Sequence, residues 1–251
     1  NQVMGLRLTA ADIALLETRT EGWIAGLQLA ALSMQGRTDI AGFIQSFSGS
    51  HRHVFGYLIE EVLNQRPAGT LEFLLQTAIL ERFNADLCNA VTGLSDSQSL
   101  LEKLEQANLF LIALDDERKW YRYHHLFTDM LRSQLQQTAA QIIAPLHRRA
   151  STWFEAQELW PEAIHHVLAA ADYATAARLI EHVGIALFSE PTIQHSLQRG
   201  LSALPAPFIR ARPSLCLMYA WIRFAHADST TALQWVTNAE ATLLKHRMER
   251  S

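Results

Sequence analysis

With 251 residues, 49% of them hydrophobic and 18% charged, the chain has enough apolar mass for one large domain or two to three small ones. The balance of 21 basic against 25 acidic side chains, net −4, leaves no large basic stripe, which argues against a dedicated nucleic-acid-binding surface. No apolar run approaches the ~20 residues of a membrane span, and no basic segment followed by an apolar stretch opens the chain, so neither a spanning helix nor a signal peptide is expected.

The first residue is Asn rather than Met, which suggests an excised piece of a longer protein, although a processed terminus would look the same. Cys88 and Cys216 lie far apart in apolar helical surroundings. Buried free thiols in a reducing compartment fit them better than a disulfide.

In chain order, Thr9 to Asp12 reads as a capping box, the Thr hydroxyl and the acidic side chain three residues on serving each other's backbone N–H. Ile13, Leu16, Trp23, Leu27, Ala30 and Ala31 continue at helical spacing. Gly22 and Gly26 interrupt it at ~1 kcal/mol each relative to Ala, which points to a close approach by another helix or a ligand. Gly36 ends this helix. Further helices are predicted over 39–47, 54–64, 71–80, 85–92 and 95–108, the last capped by Ser95 with Gln98 three residues on.

The period then changes. Leu109 to Leu114 is a continuous apolar run, Asp115 to Lys119 a charged turn, and Trp120 to His124 alternates, with Trp120, Arg122 and His124 on one side and Tyr121 and Tyr123 on the other. Apolar run, polar turn and aromatic alternation predict a β-hairpin. Several short helices, one hairpin and a helix over 126–136 form the order of a winged-helix domain.

From Ala139 onward, Ala-rich helices follow one another, with breaks at Glu158–Pro161, Asp172, Gly184, Pro191, Pro205–Pro207, Pro213 and Asp228. Small residues let helices pack closely, and helix pairs of ~34 residues mark tetratricopeptide-like solenoids. The period here is approximate.

Chemistry-bearing patterns are sparse. The sequence contains no phosphate loop, no dinucleotide fingerprint, no His-Glu-x-x-His and no Cys-x-x-Cys. Eleven histidines invite a metal reading, but adjacent residues such as His165 and His166 point to different faces of a helix. Asp115, Asp116 and Glu117 read as a solvated turn rather than paired catalytic carboxylates. On these residues alone, helix packing around two glycines and a hairpin edge with a satisfied core histidine explain the two most distinctive strings, Thr20 to Ala30 and Trp120 to Phe127.

Those strings also carry a resemblance. Thr20-Glu21-Gly22-Trp23, Gly26-Leu27-Gln28-Leu29-Ala30-Ala31-Leu32-Ser33, Asn108-Leu109-Phe110, Leu114-Asp115-Asp116 and Trp120-Tyr121-Arg122-Tyr123-His124-His125-Leu126-Phe127 resemble the large ATP-binding LuxR-type regulators, the MalT-like group of signal-transduction ATPases with numerous domains. Leu146-His147-Arg148-Arg149-Ala150 with Trp153, and Ala163-Ile164-His165-His166 with Ala169-Ala170, extend the match over roughly the first 185 residues.

The resemblance implies a mainly α fold: the end of a small helical domain over 1–47, a winged helix over 48–138, and the start of a tetratricopeptide-like sensor superhelix over 139–251. In related ATPases a Gly-Leu-Pro-Leu-Ala segment packs near adenine. Here Gln28 stands where Pro is typical, a departure from that pattern. A Met-His-Asp segment there gives a histidine to the ADP phosphates, and His124 holds that place in this sequence.

The expectation is therefore a non-enzymatic regulatory piece without a cofactor of its own, acting in an intact protein that binds ATP or ADP. It would couple nucleotide state to an inducer or regulatory protein on the helical repeats, against a nucleotide-binding domain of the same protein and with self-association open. It would make no direct DNA contact, would not enter a membrane, and would act in the cytoplasm. A stand-alone helical adaptor is the competing reading, and an enzyme using the histidines a remote third.

Overall fold

In the computed structural model of the protein, the described residues are 8–20, 27, 30, 34, 42–44, 69–106, 111–184 and 191–248. Gly22, Trp23, Gly26, Gln28, the helix expected over 54–64 and Asn108 to Phe110 lie outside them. The chain divides into two compact units, Asn1–Ile143 and Ala144–Ser251.

The first unit opens with α1 (Ala10–Thr20). Its capping box forms as expected: Asp12 N–H donates to Thr9 Oγ1 at 3.1 Å, while Asp12 Oδ2 accepts from Thr9 N at 2.9 Å and Thr9 Oγ1 at 2.7 Å. These bonds hold the Asp12 carboxyl below the usual carboxylate range.

Helix α2 (Thr70–Thr77) follows Gly69, whose φ of 94° is left-handed backbone that glycine adopts without a Cβ clash. It ends three residues earlier than its apolar pattern predicts. Ala78 and Ile79 form a turn, and the Arg132 guanidinium donates from Nε to Ala78 O at 2.7 Å. A side chain from another helix thus supplies the partner that a further helical turn would have supplied.

Helix α3 (Ala85–Thr92) is capped at its start by Asn84 Oδ1, which accepts from Leu87 N at 2.8 Å, and at its end by left-handed Gly93. Helix α4 (Ser97–Gln106) begins two residues later than expected, because Ser97 N–H donates to Asn89 Oδ1 of α3 at 3.1 Å.

Strands β1 (Leu111–Ala113) and β2 (Tyr121–Tyr123) pair antiparallel, with Leu111 opposite Tyr123 and Ala113 opposite Tyr121. Phe83, between α2 and α3, exchanges two 2.8 Å backbone hydrogen bonds with Tyr121, adding a one-residue bridge to the hairpin. Helix α5 (His125–Thr138) follows and packs on α2. Tyr123 joins the layers: its ring lies 4.6 Å from Phe83 and 5.7 Å from Phe127. Its hydroxyl meets Thr77 Oγ1 at 2.8 Å, and since Thr77 gives its own proton to Phe73 O at 2.7 Å, Tyr123 is the donor.

The second unit takes over within α6 (Ala140–Ala156). It continues through α7 (Trp160–Ala169), α8 (Tyr173–Gly184), α9 (Pro191–Ala203), α10 (Ala206–Arg210), α11 (Pro213–Ala225) and α12 (Ser229–Met248). Ala163, Ala176 and Ala177 are fully buried where these helices meet. At Gly200 of α9 a Cβ would stand 3.1 Å from Ile164 Cγ2 and 3.2 Å from Ile180 Cδ1, so α9 approaches α7 and α8 as closely as hydrogen permits. The fold is mainly α, a winged helix with one hairpin followed by a run of packed helices.

Two turns in this run share a device. Ala171 (φ 53°) and Ala227 (φ 60°) occupy left-handed backbone, and each precedes an aspartate that caps the next helix. Asp172 Oδ1 accepts from Thr175 N, and Asp228 Oδ1 from Thr231 N, both at 3.1 Å. A left-handed alanine is strained by about 1–2 kcal/mol, which glycine would relieve against a larger unfolded-state entropy. Ala171→Gly is expected to raise the unfolding free energy by about 0.5–1 kcal/mol, read as a higher urea midpoint at unchanged slope. A lower midpoint would show that the alanine is unstrained.

Candidate functional site

The hairpin and the helix before it border a recess in the first unit. Gln98, Glu102, Glu105 and Gln106 of α4 form one wall; Glu117 and Arg118 of the turn and Tyr121 of β2 form the other, around a cavity of about 530 Å³. Gln98, Glu102 and Glu105 recur at helical spacing, which puts them on one face. The opposite face buries Leu101 and Leu104 in the core.

The turn is braced from within. Both Asp115 carboxylate oxygens accept backbone protons, from Lys119 N at 2.8 Å and Trp120 N at 2.9 Å, and Leu114 N–H closes the loop on Trp120 O at 2.8 Å. The bond from Lys119 N is the main reason that the Asp115 carboxyl lies below the usual range. Arg118, at left-handed φ of 53°, places its guanidinium 3.2 Å from Glu105. The Arg82 guanidinium sits 5.0 Å over the Trp120 ring on the hairpin's flank.

Glu102, Glu105 and Glu117 line the recess; Arg118 pairs with Glu105 and the Lys119 ammonium pairs with Glu117. The Tyr121 hydroxyl reaches Glu105 Oε2 at 3.4 Å, and burial, then the Glu105 charge, push its phenol above the ordinary tyrosine value. In the aspartate-rich turn, only Asp115 acts as a structural cap; Glu117 faces the recess. Sequence reading missed this wall, although the Gln98, Glu102, Glu105 spacing was a signal for it.

His124 stands where strand becomes helix, at φ −58° and ψ 136°, as the residue before the first turn of α5. Its carbonyl accepts from Thr128 N at 2.9 Å, and its ring stacks on His125, centroids 4.6 Å apart. Strand alternation places His124 on the Trp120 and Arg122 side, but the side chain is only 4% exposed, whereas those two are half-buried. The alternation ends at Tyr123, because the chain turns into α5 there and redirects the next side chain. Gln28, the second predicted nucleotide contact, lies outside the described residues.

Neither thiol is set up as a nucleophile. Cys88 and Cys216 are free and buried, and desolvation pushes both thiols upward. Among the described residues, no three His, Cys, Asp or Glu side chains are grouped to hold a metal ion, and no helix is long and apolar enough to cross a membrane.

Comparison with known proteins fits this architecture. Residues 59–143 match the MalT winged helix domain. The serine/threonine-protein kinase PknK of Mycobacterium tuberculosis (strain ATCC 25618 / H37Rv) is 36% identical over 221 residues, 88% of this chain and 20% of that protein. The HTH-type transcriptional regulator MalT of Klebsiella pneumoniae is 35% identical over 227 residues, 88% of this chain and 25% of that protein, and MalT of Cronobacter sakazakii 37% over 205 residues, 80% and 22%. The chain thus spans about a fifth to a quarter of the length of these curated relatives. Residues 59–143 thus match the MalT winged helix domain family, within a segment that is similar to MalT regulators over most of this chain.

Proposed function

We propose that this chain is the coupling segment of a large cytoplasmic regulator of transcription, in which the winged helix relays the nucleotide state of an ATPase domain to helical repeats that take an inducer or a regulatory protein. The relatives support this reading in a specific way. One segment of some 220 residues recurs in a protein named as a kinase and in others named as transcriptional regulators. A segment used by both kinds of protein supports reading it as a shared regulatory module.

The observation that carries the proposal furthest is the charge of the winged helix. DNA-binding proteins of the helix-turn-helix class turn a recognition helix toward the duplex and neutralise phosphates with Lys and Arg. Here α4 and the hairpin turn bear Glu102, Glu105 and Glu117 beside Lys103, Arg118 and Lys119, with Arg118 paired to Glu105 and Lys119 to Glu117. Both cations of the turn are held by carboxylates and no basic stripe forms there, which supports protein contacts for this winged helix, with the nucleotide-binding domain of the same chain as the natural partner and self-association of the intact protein as the readout.

Nucleotide coupling is assigned to His124, with Gln28 on the adenine side, and ATP or ADP as the ligand of the intact protein. An imidazole donor on a phosphate favours one nucleotide state over the other. Because His124 is buried here, a phosphate reaches its ring only after the covering groups move aside, so binding and rearrangement at the start of α5 are one event.

The test is calorimetric titration of ADP into the intact protein and its His124→Asn variant. A hydrogen bond to a charged phosphate contributes about 1.5–3 kcal/mol, so affinity should fall on the order of 10- to 100-fold in a variant that circular dichroism shows to be folded. Equal ADP affinity in the two proteins removes His124 from the nucleotide site.

A further inference from the structure

Away from the winged helix, the second unit holds a buried titratable pair. His147 of α6 and His166 of α7 meet Nδ1 to Nδ1 at 2.8 Å. Their ring centroids are 5.0 Å apart, and the His166 ring stacks on Phe154, 5.3 Å away and 11° from parallel. His166 is buried and His147 half-buried. One turn along both helices, Ser151 Oγ donates to Ala163 O at 2.8 Å, a second bond between α6 and α7 whose groups do not titrate in the histidine range.

A 2.8 Å contact between two Nδ1 atoms holds one proton. One ring donates Nδ1–H; the other accepts on its Nδ1 lone pair and keeps its own proton on Nε2. A first added proton can sit on Nε2 of the donor ring and leave the bond intact. The second has only the accepting Nδ1 lone pair left, and occupying it sets N–H against N–H and two charges against each other. Charging the buried ring is costlier, so His147 is the donor and takes the first charge, and His166 is the acceptor.

The surrounding charges do not replace this logic. His165 packs edge-on against His166, with centroids 5.2 Å apart. On α6, Arg148 lies 3.9 Å from Asp172 and Glu155 is held by Arg178 of α8 through two 2.8 Å bonds. Also on α8, Glu181 pairs with Arg212 at 2.6 Å and His182 rests on Trp160. Arg149 of α6 and Glu162 of α7 each hold a further interaction, as do both histidines, and α9 contributes the exposed Arg199.

We propose that the His147–His166 hydrogen bond makes the α6–α7 junction a proton-gated clasp, closed while the pair holds at most one added proton and opened by the second. Unfolded, both imidazoles take protons near the ordinary histidine pKa of about 6.5. The folded pair takes one fewer, so the unfolded state binds more protons at acid pH. The clasp's stability is therefore present above that range and lost as pH falls through it, up to tenfold in the folding constant per pH unit.

Urea unfolding of the whole chain and of His166→Gln, which leaves the half-buried His147 free to take its proton in the folded state, at pH 7.5 and 5.5, tests this. The other histidines contribute equally to both proteins and cancel in the difference. At pH 7.5 the variant should fold with a constant about fivefold lower, the worth of one hydrogen bond. At pH 5.5 the gap should close or reverse, and an equal gap at both pH values overturns the proposal. Nitrogen-15 spectra of the wild-type imidazoles give a second reading that no variant can spoil. One ring should keep Nδ1–H at pH 7.5, and the folded pair should gain one proton by pH 5.5. Two normal, independent titrations in the folded protein overturn it.

Discussion

Phe83→Ala is expected to lower the stability of the winged helix by about 3–5 kcal/mol, a large share of what a domain of this size possesses. Phe83 is fully buried, and its ring packs 4.6 Å from Tyr123. Its backbone is the only residue outside the two strands that bridges the hairpin among the described residues. The substitution keeps the backbone bridge but opens a ring-sized cavity between α3 and the hairpin. Tyr123 borders that cavity, and its hydroxyl bond to Thr77 depends on the ring staying in place. Chemical unfolding followed by Trp120 fluorescence measures the loss. A loss below about 1 kcal/mol would mean that the hairpin collapses onto the vacated space.

Phe154→Ala is expected to cost a similar 3–5 kcal/mol in the second unit, for a different reason. Phe154 is buried, with Trp153 edge-on at 5.3 Å and the His166 ring stacked on its face at 5.3 Å. Removing the ring takes away apolar area and the surface that holds His166 in line with His147. The destabilisation should therefore come with loss of the pH-dependent difference that the histidine pair produces. Thermal unfolding at pH 7.5 and 5.5, read by Trp153 and its neighbours, separates the two effects. Destabilisation with that difference intact would show that Phe154 packs against the clasp without positioning it.

What could be read from the residues was mostly local. The capping box at Thr9 and Asp12, the helix over Ala85–Thr92 and the hairpin with its charged turn each depend on groups within a few positions of one another, where spacing alone fixes which atoms meet. The breaks at Asp172 and Asp228 were equally legible, since an aspartate before a helix start accepts an N–H two or three residues on. The resemblance to ATP-binding regulators rested on the same short strings, and the family match across 59–143 falls on part of them.

Errors arose where a distant group decided a local outcome. Helix α2 stops at Thr77 because Arg132, 54 positions away from Ala78, takes its carbonyl. His124 leaves the half-buried face of its strand because the chain turns into a helix at that residue. Of the adjacent histidines on α7, periodicity correctly separated His165 from His166, but nothing in it indicated that His166 meets His147, 19 residues earlier.

The order of helices, the hairpin and the repeat-like run were thus determined by the sequence alone, through the 3.6 and 2.0 residue periods and the chemistry of caps. Tertiary structure decided the carboxylate-lined recess beside the hairpin, with its Arg118–Glu105 and Lys119–Glu117 pairs, and the single-proton contact of two imidazoles. Both depend on which side chains from separate elements come within a few ångströms, a distance that Coulomb interactions and hydrogen bonds sense and that spacing along the chain does not encode.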